Sequence, residues 1–351
     1  MVLISFFVFI MFEKIISLKN LFDAWTEFRR DKRRKKDVAE FELNLEDNIF
    51  KLHEDLVNGV YKHGGYFSFF INDPKKRHIH KASVRDRLLH HAIIRVIEQM
   101  WDKKFIFDSW SSRKYKGTHW AIKRLYKMGL KLSRNNSRTL WVLKLDIRKF
   151  FDSVDHEILL KILRKETFDC RLIKLFEDIT ESFGSGIPLG NLTSQIFANI
   201  YMDKLDQFVK HELKVKGYIR YADDFILMHT DKSFLELCLS KIQNFTEQNL
   251  KLRIHPDKIV LKTYSSGIDY LGYVCFPSYR ILRTKTKKRI LRKATDKNFS
   301  SYNGILSHCR SRNLKIKLLQ KLNRRVPKKW TKGKANNIKS SSTAQPQIRP
   351  Q

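Results

Sequence analysis

Two adjacent carboxylates, Asp223 and Asp224, stand between the apolar runs Tyr218-Ile219 and Phe225-Ile226-Leu227-Met228. That pattern predicts a strand, a tight turn and a second strand, with both acids at the tip. Like charges set among apolar neighbours repel and are poorly solvated, so a chain that keeps them there has reason to hold cations between them. A third carboxylate, Asp146, ends the run Leu140-Trp141-Val142-Leu143-Lys144-Leu145. If that run is a strand, alternation puts Trp141, Leu143, Leu145 and Ile147 on one face. Val142, Lys144 and Asp146 then share the other, and Asp146 points away from the apolar side. Three hard oxygen ligands converging on two Mg²⁺ ions are what nucleotidyl transfer needs. Alone, an Asp-Asp pair is an ordinary solvated turn, and its meaning depends on the surroundings.

The elements around these acids follow from periodicity. Phe151 stands five residues after Asp146, and Gly186-Ile187-Pro188-Leu189-Gly190-Asn191-Leu192-Thr193-Ser194-Gln195 is a glycine-punctuated loop entering a helix. Loop glycines let backbone approach a ligand closely and a helix N-terminus favours anions; an ordinary capped helix entry reads the same way from these residues alone. Residues 11–60 have apolar positions at helical spacing (Ile15, Leu18, Leu21, Phe22, Trp25, Phe28), interrupted by the basic run Arg29 to Lys36. That run reads as a solvated helix face or as a helix contacting phosphates. Residues 61–84 turn strand-like and a helix follows from Arg85 to Trp101. From 140 to 280, strands at 140–147, 218–228, 258–262 and 270–276 mix with helices at 156–163, 193–213 and 234–249. Antiparallel strands with helices packed on one face make an α+β layer, not a doubly wound sheet.

Composition narrows the partners. In 351 residues, 70 Lys and Arg against 36 Asp and Glu give a net charge of +34, while 42% hydrophobic content argues for a folded body. Self-repulsion of that size points to a polyanionic partner, with nucleic acid ahead of an anionic membrane surface because the basic residues are spread along the chain. Cys170, Cys238, Cys275 and Cys309 form no C-x-x-C pair, which fits a reducing cytoplasm. His78, His80, His90 and His91 cluster in sequence without a cysteine or acidic partner, a poor metal set. Residues 1–10 are almost wholly apolar but too short to span a bilayer. They read as an upstream extension before a start at Met11, or as a short surface anchor; stable membrane association is not expected.

In order and spacing, these segments resemble reverse transcriptases. The Asp146 strand resembles motif A, 186–201 motif B, Tyr221-Ala222-Asp223-Asp224 motif C, Leu252–Lys258 motif D and Tyr270-Leu271-Gly272-Tyr273 the primer-grip hairpin. Arg77 to Ala92 and Phe107 to Thr118 resemble the two finger motifs. Group II intron and retron enzymes usually carry Pro-Gln-Gly and later Ser-Pro in motif B, where this chain has Pro188-Leu189-Gly190 and Ser194-Gln195. The form I-P-L-G-N-L-T-S-Q, with Ser301 to His308 in the thumb region, is similar to the reverse transcriptases of diversity-generating retroelements.

The resemblance implies a right-hand polymerase fold: fingers over 61–139, a palm over 140–280 and a basic helical thumb over 281–326. A basic helical region at 11–60 would precede it and a disordered basic tail at 327–351 would follow. Asp146 and Asp223, with Asp224 and the Ile147 carbonyl, would hold two Mg²⁺. Phe151 would be the plate beneath the incoming sugar and Arg77 the clamp on the triphosphate, with Lys75 and Lys76 as candidates for the same charge. Lys258 would protonate pyrophosphate. Leu189, Gly190 and Gln195 would lie at the nucleotide, and Tyr270, Leu271 and Gly272 would grip the primer. Implied partners are a template RNA, an RNA/DNA primer–template duplex, dNTPs and a small basic accessory variability protein. The implied activity is copying a template-repeat RNA into cDNA with errors at adenines. Leu189 stands where other reverse transcriptases place a glutamine near the sugar. Competing readings are a group II intron- or retron-type enzyme and a non-catalytic RNA-binding relative, the latter opposed by the presence of all three aspartates.

Overall fold

A computed structural model of the chain describes residues 11–73, 75–167 and 169–323. The apolar residues 1–10 and the tail 327–351 lie outside the described residues. The chain opens with helices α1 (residues 11–16), α2 (Leu18–Phe28), α3 (Lys36–Leu43) and α4 (Leu45–Val57). Ser17 caps α2 by accepting from the Asn20 N–H, and Leu21, Ala24, Trp25 and Phe28 form its buried stripe. The basic run predicted as a helix face is instead mostly the turn between α2 and α3, with Asp31 at φ 60°. Consecutive cations repel along a helix, and here they disperse: Arg29 pairs with Glu42 at 2.6 Å, and Lys32 lies over the Phe28 ring.

Strands β1 (Tyr66–Ile71) and β2 (Arg77–Ala82) form an antiparallel ribbon, and α5 (Val84–Lys104) follows it. Helix α6 (Thr118–Leu132) is absent from the sequence expectation, because its buried stripe of Ala121, Ile122, Leu125 and Met128 is thin and interleaved with basic residues. Next come β3 (Trp141–Asp146), α7 (Phe150–Ser153), α8 (His156–Arg164), α9 (Cys170–Glu181) and α10 (Leu192–Gln207), the last continued by a π-helical turn, Phe208–Glu212. Then follow β4 (Gly217–Tyr221), β5 (Asp224–His229), α11 (Lys232–Leu250) and β6 (Val260–Thr263). Lys258, expected on a strand, lies in the 3₁₀ turn Pro256–Lys258 just before β6.

The four strands pair antiparallel in the order β4-β5-β3-β6. Leu143, Leu145, Phe225 and Leu227 enter the main core, which they share with buried residues of α5 and α8 to α11. Period-2 alternation sends Val142, Ile219, Ile226 and Met228, all fully buried, to the opposite face. There α6 covers the β4 end: a Cβ on Gly217 would lie 2.6 Å from Leu132 Cδ1. Helices thus lie on both faces, not one. The face shared with α6 carries Lys144, Asp146 and Asp224 at its other end.

The chain divides into two compact units between Thr263 and Tyr264. The second unit holds the sheet β7 (Ile268–Tyr270), β8 (Tyr273–Cys275) and β9 (Arg280–Leu282), then α12 (Thr284–Lys293), α13 (Phe299–Ser307) and α14 (Arg312–Lys321). Leu271 and Gly272, at φ 48° and 89°, make the two-residue turn joining β7 to β8, the double positive φ of a type I′ hairpin. Among the described residues no helix is long and apolar enough to cross a membrane.

Candidate active site

Asp146 and Asp224 sit opposite one another in the β3–β5 register, and Tyr221 pairs with Asp224 across the hairpin, leaving Ala222 and Asp223 as its turn. Ala222 takes φ 55°, a conformation that strains any residue with a Cβ and persists only where neighbours enforce it. The backbone does so from several sides. Ile147 N–H donates to the Asp223 carbonyl at 3.2 Å, and His255 N–H to the Asp146 carbonyl at 2.8 Å. The acids therefore sit on two segments, β3 and the β4–β5 hairpin, which are hydrogen-bonded to one another and, through His255, to a third.

Their charge is countered by lysines. Lys144 Nζ lies 3.0 Å from Asp224 Oδ2, and Lys258 Nζ donates to Asp146 Oδ1. Burial pushes the Asp224 carboxyl up to about 7; Lys144 opposes the shift and the other two aspartates add to it. Asp223 is also raised, first by burial and then by Asp146, with Lys258 and Lys75 acting against it. Lys75, at the tip of the β1–β2 ribbon, is thus a cation whose field reaches the turn. Arg77 is exposed on β2 and Gln195 is exposed on α10.

The donor set suits a hard divalent cation. Asp224 Oδ1 is buried without a hydrogen-bond partner, and carboxylate oxygens are the ligands Mg²⁺ prefers. Among the described residues no three acidic, histidine or cysteine side chains are gathered as a formed metal cluster. Lys144 and Lys258 engage one oxygen each of Asp224 and Asp146, so a cation drawn to these carboxylates competes with two ammonium charges.

The 186–191 loop is held between Phe151 and β2. Ile187 N–H donates to the Phe151 carbonyl at 2.8 Å, and a Cβ on Gly186 (φ 71°) would come within 2.3 Å of that oxygen, which only glycine allows. Phe151 itself is half-buried, edge-on to Phe150. On its far side the loop docks on β2: His80 N–H donates to the Leu189 carbonyl at 2.9 Å. The Asn191 side chain accepts from Ala82 N–H and donates to the His80 carbonyl. Gly190 (φ 115°) packs so closely on Ile79 that a Cβ would lie 2.8 Å from its Cγ2. Leu189 is half-buried. Tyr270, Leu271 and Gly272 form the β7–β8 turn of the second unit.

Sequence reasoning missed the support beneath the acidic turn. Arg220 is fully buried, and its guanidinium makes a bidentate pair with Asp206 at 2.6–2.9 Å. It also donates to Asn199 Oδ1, Ser109 Oγ and, at 3.0 Å, the Ala222 carbonyl. The Tyr218 hydroxyl donates to the same Asp206 at 2.7 Å. Arg220 N–H bonds the Asp108 carbonyl, and Asp108 is gripped by Arg124 through two bonds of 2.7 and 2.8 Å. The available signal was a charge inside an apolar strand, Tyr218-Ile219-Arg220-Tyr221, which must be paired if buried.

A family model described as reverse transcriptase (RNA-dependent DNA polymerase) matches residues 63–275, more than half of the chain. The chain is similar to Protein YkfC of Escherichia coli (strain K12), 25% identical over 281 residues that cover 67% of this chain and 71% of that protein. It is 22% identical over 319 residues to the group II intron-encoded protein LtrA of Lactococcus lactis subsp. cremoris, covering 70% of this chain and 51% of LtrA, so it spans about half that relative's length. The retron Ec73 reverse transcriptase of Escherichia coli is 24% identical over 234 residues, covering 62% of this chain and 73% of that one. Among solved structures, telomerase from Candida albicans is similar with a TM-score of 0.49 at 12% identity, covering 74% of this chain and 54% of that one. The family match spans the sheet, the loop and the hairpin that assemble the three aspartates, and the chain belongs to the reverse transcriptase (RNA-dependent DNA polymerase) family, with its right-hand polymerase fold.

Proposed function

We propose that this reverse transcriptase copies a template-repeat RNA into cDNA, with errors at adenines, for mutagenic retrohoming by a diversity-generating retroelement. The observation that carries catalysis is the antiparallel pairing of Asp146 with Asp224 around a strained Asp223 turn. Asp146 and Asp223 would hold two Mg²⁺, with Asp224 and the Ile147 carbonyl contributing. When bound, the metals supply charge neutralisation at the transferring phosphoryl group and a deprotonated primer hydroxyl.

The protein's own groups do the rest. Lys258, which donates to Asp146 Oδ1, would be the proton donor to the leaving pyrophosphate. Lys75 and Arg77 supply positive charge from the ribbon to the triphosphate of a dNTP. Phe151 offers an aromatic plate under the sugar, fixed by the bond from Ile187 to its carbonyl. Gly190 and Gln195 flank the nucleotide, and Tyr270, Leu271 and Gly272 hold the primer of an RNA/DNA duplex. In this reading residues 61–139 are fingers, 140–280 palm and 281–326 thumb. The protein works in the cytoplasm with a small basic accessory protein. The subgroup rests on Leu189 and Gln195, at positions where intron and retron enzymes usually have glutamine and proline.

Primer extension on an RNA template with Mg²⁺ tests the catalytic assignment. Asp223→Ala is expected to lower cDNA yield by about 100-fold or more, as loss of a metal ligand costs several kcal/mol of transition-state stabilisation. Equal yields from the two proteins would falsify it.

A further inference from the structure

From Ser109 to Leu145 the chain carries ten Lys and Arg and no Asp or Glu. The structure sorts these cations into two sets. One set is matched by acids from elsewhere: Arg113 by Asp102 at 2.6 Å, Lys114 by Glu98 at 2.8 Å, Arg124 by Asp108 at 2.7 Å and Lys144 by Asp224 at 3.0 Å. Lys116 lies over the rings of Phe107 and Trp110. The second set, Lys123, Lys127, Lys131, Arg134 and Arg138, is exposed, and no acid among the described residues pairs with it.

Three of the second set share one stripe on the helix. At 100° per residue, Lys123, Lys127 and Lys131 fall within about 80° of one another, and Trp120 falls inside the same arc. From Trp120 to Lys131 the stripe runs about 16 Å along α6, and Arg134 follows it in the turn beyond the Ser133 cap, at φ 49°. Trp120 is 55% exposed with Lys123 4.9 Å above its ring, and Tyr126, 39% exposed, flanks the stripe. The opposite side of α6 is its buried stripe against the sheet, so the basic face is left over for something else.

A face kept only for solvation looks different. Helix α11 exposes Lys232, Glu236, Lys241 and Glu247, with Lys232 and Glu236 paired at 3.0 Å. Mixed signs there relieve self-repulsion; α6 accumulates it on a chain already at +34. Cations in a row neutralise successive phosphates, and exposed aromatic rings among them offer planes on which unpaired bases stack. The C-terminal part of the stripe lies away from the acidic turn: Leu132 packs at Gly217, which pairs with Met228, four residues from Asp224 or about 13 Å along the strand. The N-terminal end of α6 lies nearer, Thr118 donating to the Tyr221 hydroxyl at 3.2 Å.

We propose that the exposed face of α6 is a binding surface for a single-stranded segment of RNA, with Lys123, Lys127, Lys131 and Arg134 on phosphates and Trp120 and Tyr126 against bases. Only the choice of RNA over DNA rests on the reverse transcriptase reading.

The test is fluorescence anisotropy of a labelled, unstructured oligoribonucleotide with the full chain, repeated over a range of salt. The triple variant K127Q/K131Q/R134Q is expected to lower the slope of log affinity against log salt by about 2, since each phosphate contact on a single strand contributes about 0.7. Trp120→Ala is expected to weaken single-strand binding about tenfold and leave binding of a blunt RNA duplex unchanged. A slope and affinity equal to the parent's in both variants overturn the proposal, as does a Trp120→Ala loss confined to duplex. Should a variant fail to fold, lysine acetylation of the unaltered chain gives the answer. RNA protects Lys123, Lys127 and Lys131 relative to Lys241, and equal labelling with and without RNA overturns the surface. Binding is read without catalysis, so the two readings fail separately. RNA protection at α6 without Asp223-dependent cDNA removes the polymerase reading alone, and Asp223-dependent cDNA with α6 unprotected removes the surface alone.

Discussion

Leu189 places an apolar, half-buried side chain on a loop whose backbone is tied on both sides, through its own carbonyl to His80 and through Ile187 to Phe151. A side chain on so fixed a backbone acts by its chemistry, not by moving the loop. An amide at this position could hydrogen-bond the nucleotide sugar, and a hydrogen bond of about 0.5–1.5 kcal/mol corresponds to up to about tenfold in discrimination. In the proposed retroelement enzyme, Leu189→Gln is expected to lower misincorporation opposite template adenine by up to that factor, read by sequencing the cDNA. An unchanged adenine error rate would sink this role for Leu189. At this scale much of the site was legible. Asp146, Asp223 and Asp224 stand out because carboxylates at the ends of apolar runs are costly to keep there. The lysines that neutralise them were harder to read. Lys144 and Lys258 are ordinary letters in their segments, and their pairing with Asp224 and Asp146 exists only after the strands cross.

The β4–β5 hairpin is positioned by a buried cation, and this is the element on which the Asp223 turn depends. Removing Arg220 alone leaves Asp206 charged and buried with only the Tyr218 hydroxyl and no counter-charge, so Arg220→Met is expected to destabilise the protein by about 3–5 kcal/mol. Replacing both partners, Arg220→Met with Asp206→Leu, removes the uncompensated charge, so stability should partly return, short of the parent because Tyr218, Asn199 and Ser109 each lose a buried partner. Activity should not return with it, because the Ala222 carbonyl still lacks the guanidinium that holds it at 3.0 Å. The expected outcome is a double variant that melts above Arg220→Met but extends primers about tenfold more slowly than the parent, the worth of one charge-assisted bond. Parental rates in the double variant would show the pair to be structural only. The hairpin, the ribbon and the long helices α5, α10 and α11 were readable from apolar periodicity and turn residues. Helices α6 and α9 were not, and neither was the Arg220–Asp206 pair, whose partners lie fourteen residues apart on a helix and a strand. Periodicity reports which face is buried; it says nothing about which buried charges meet.

For the molecule as a whole, acid is the stress that its composition and its core make hardest to bear. His90 is 1% exposed with neither ring nitrogen hydrogen-bonded, and it stacks at 5.4 Å on His63. Burial, with neighbouring His63, His91 and Arg87, holds its pKa well below the ordinary 6.5. Burial, reinforced by Lys32 and Arg87, lowers His91 to about 4. Both side chains are therefore neutral when folded and bind protons more readily when unfolded. Their contribution to stability is fully present above pH 6.5 and is lost as pH falls from there toward 4. Discounted for the partial exposure of His91, the loss is on the order of 2 kcal/mol from that residue, with His90 adding to it. Acidification also raises a net charge already at +34, so repulsion compounds the effect. Urea unfolding midpoints taken at neutral pH and near pH 5 should fall steeply for the parent protein. The His90→Leu, His91→Leu variant should start lower or level, depending on how well leucine fills each site, but its midpoint should fall less between the two pH values. The difference between the two slopes, not the absolute midpoints, isolates the histidines from the carboxylates that titrate in the same range. Identical pH dependence in both proteins would mean that the buried histidines are not what limits the molecule in acid.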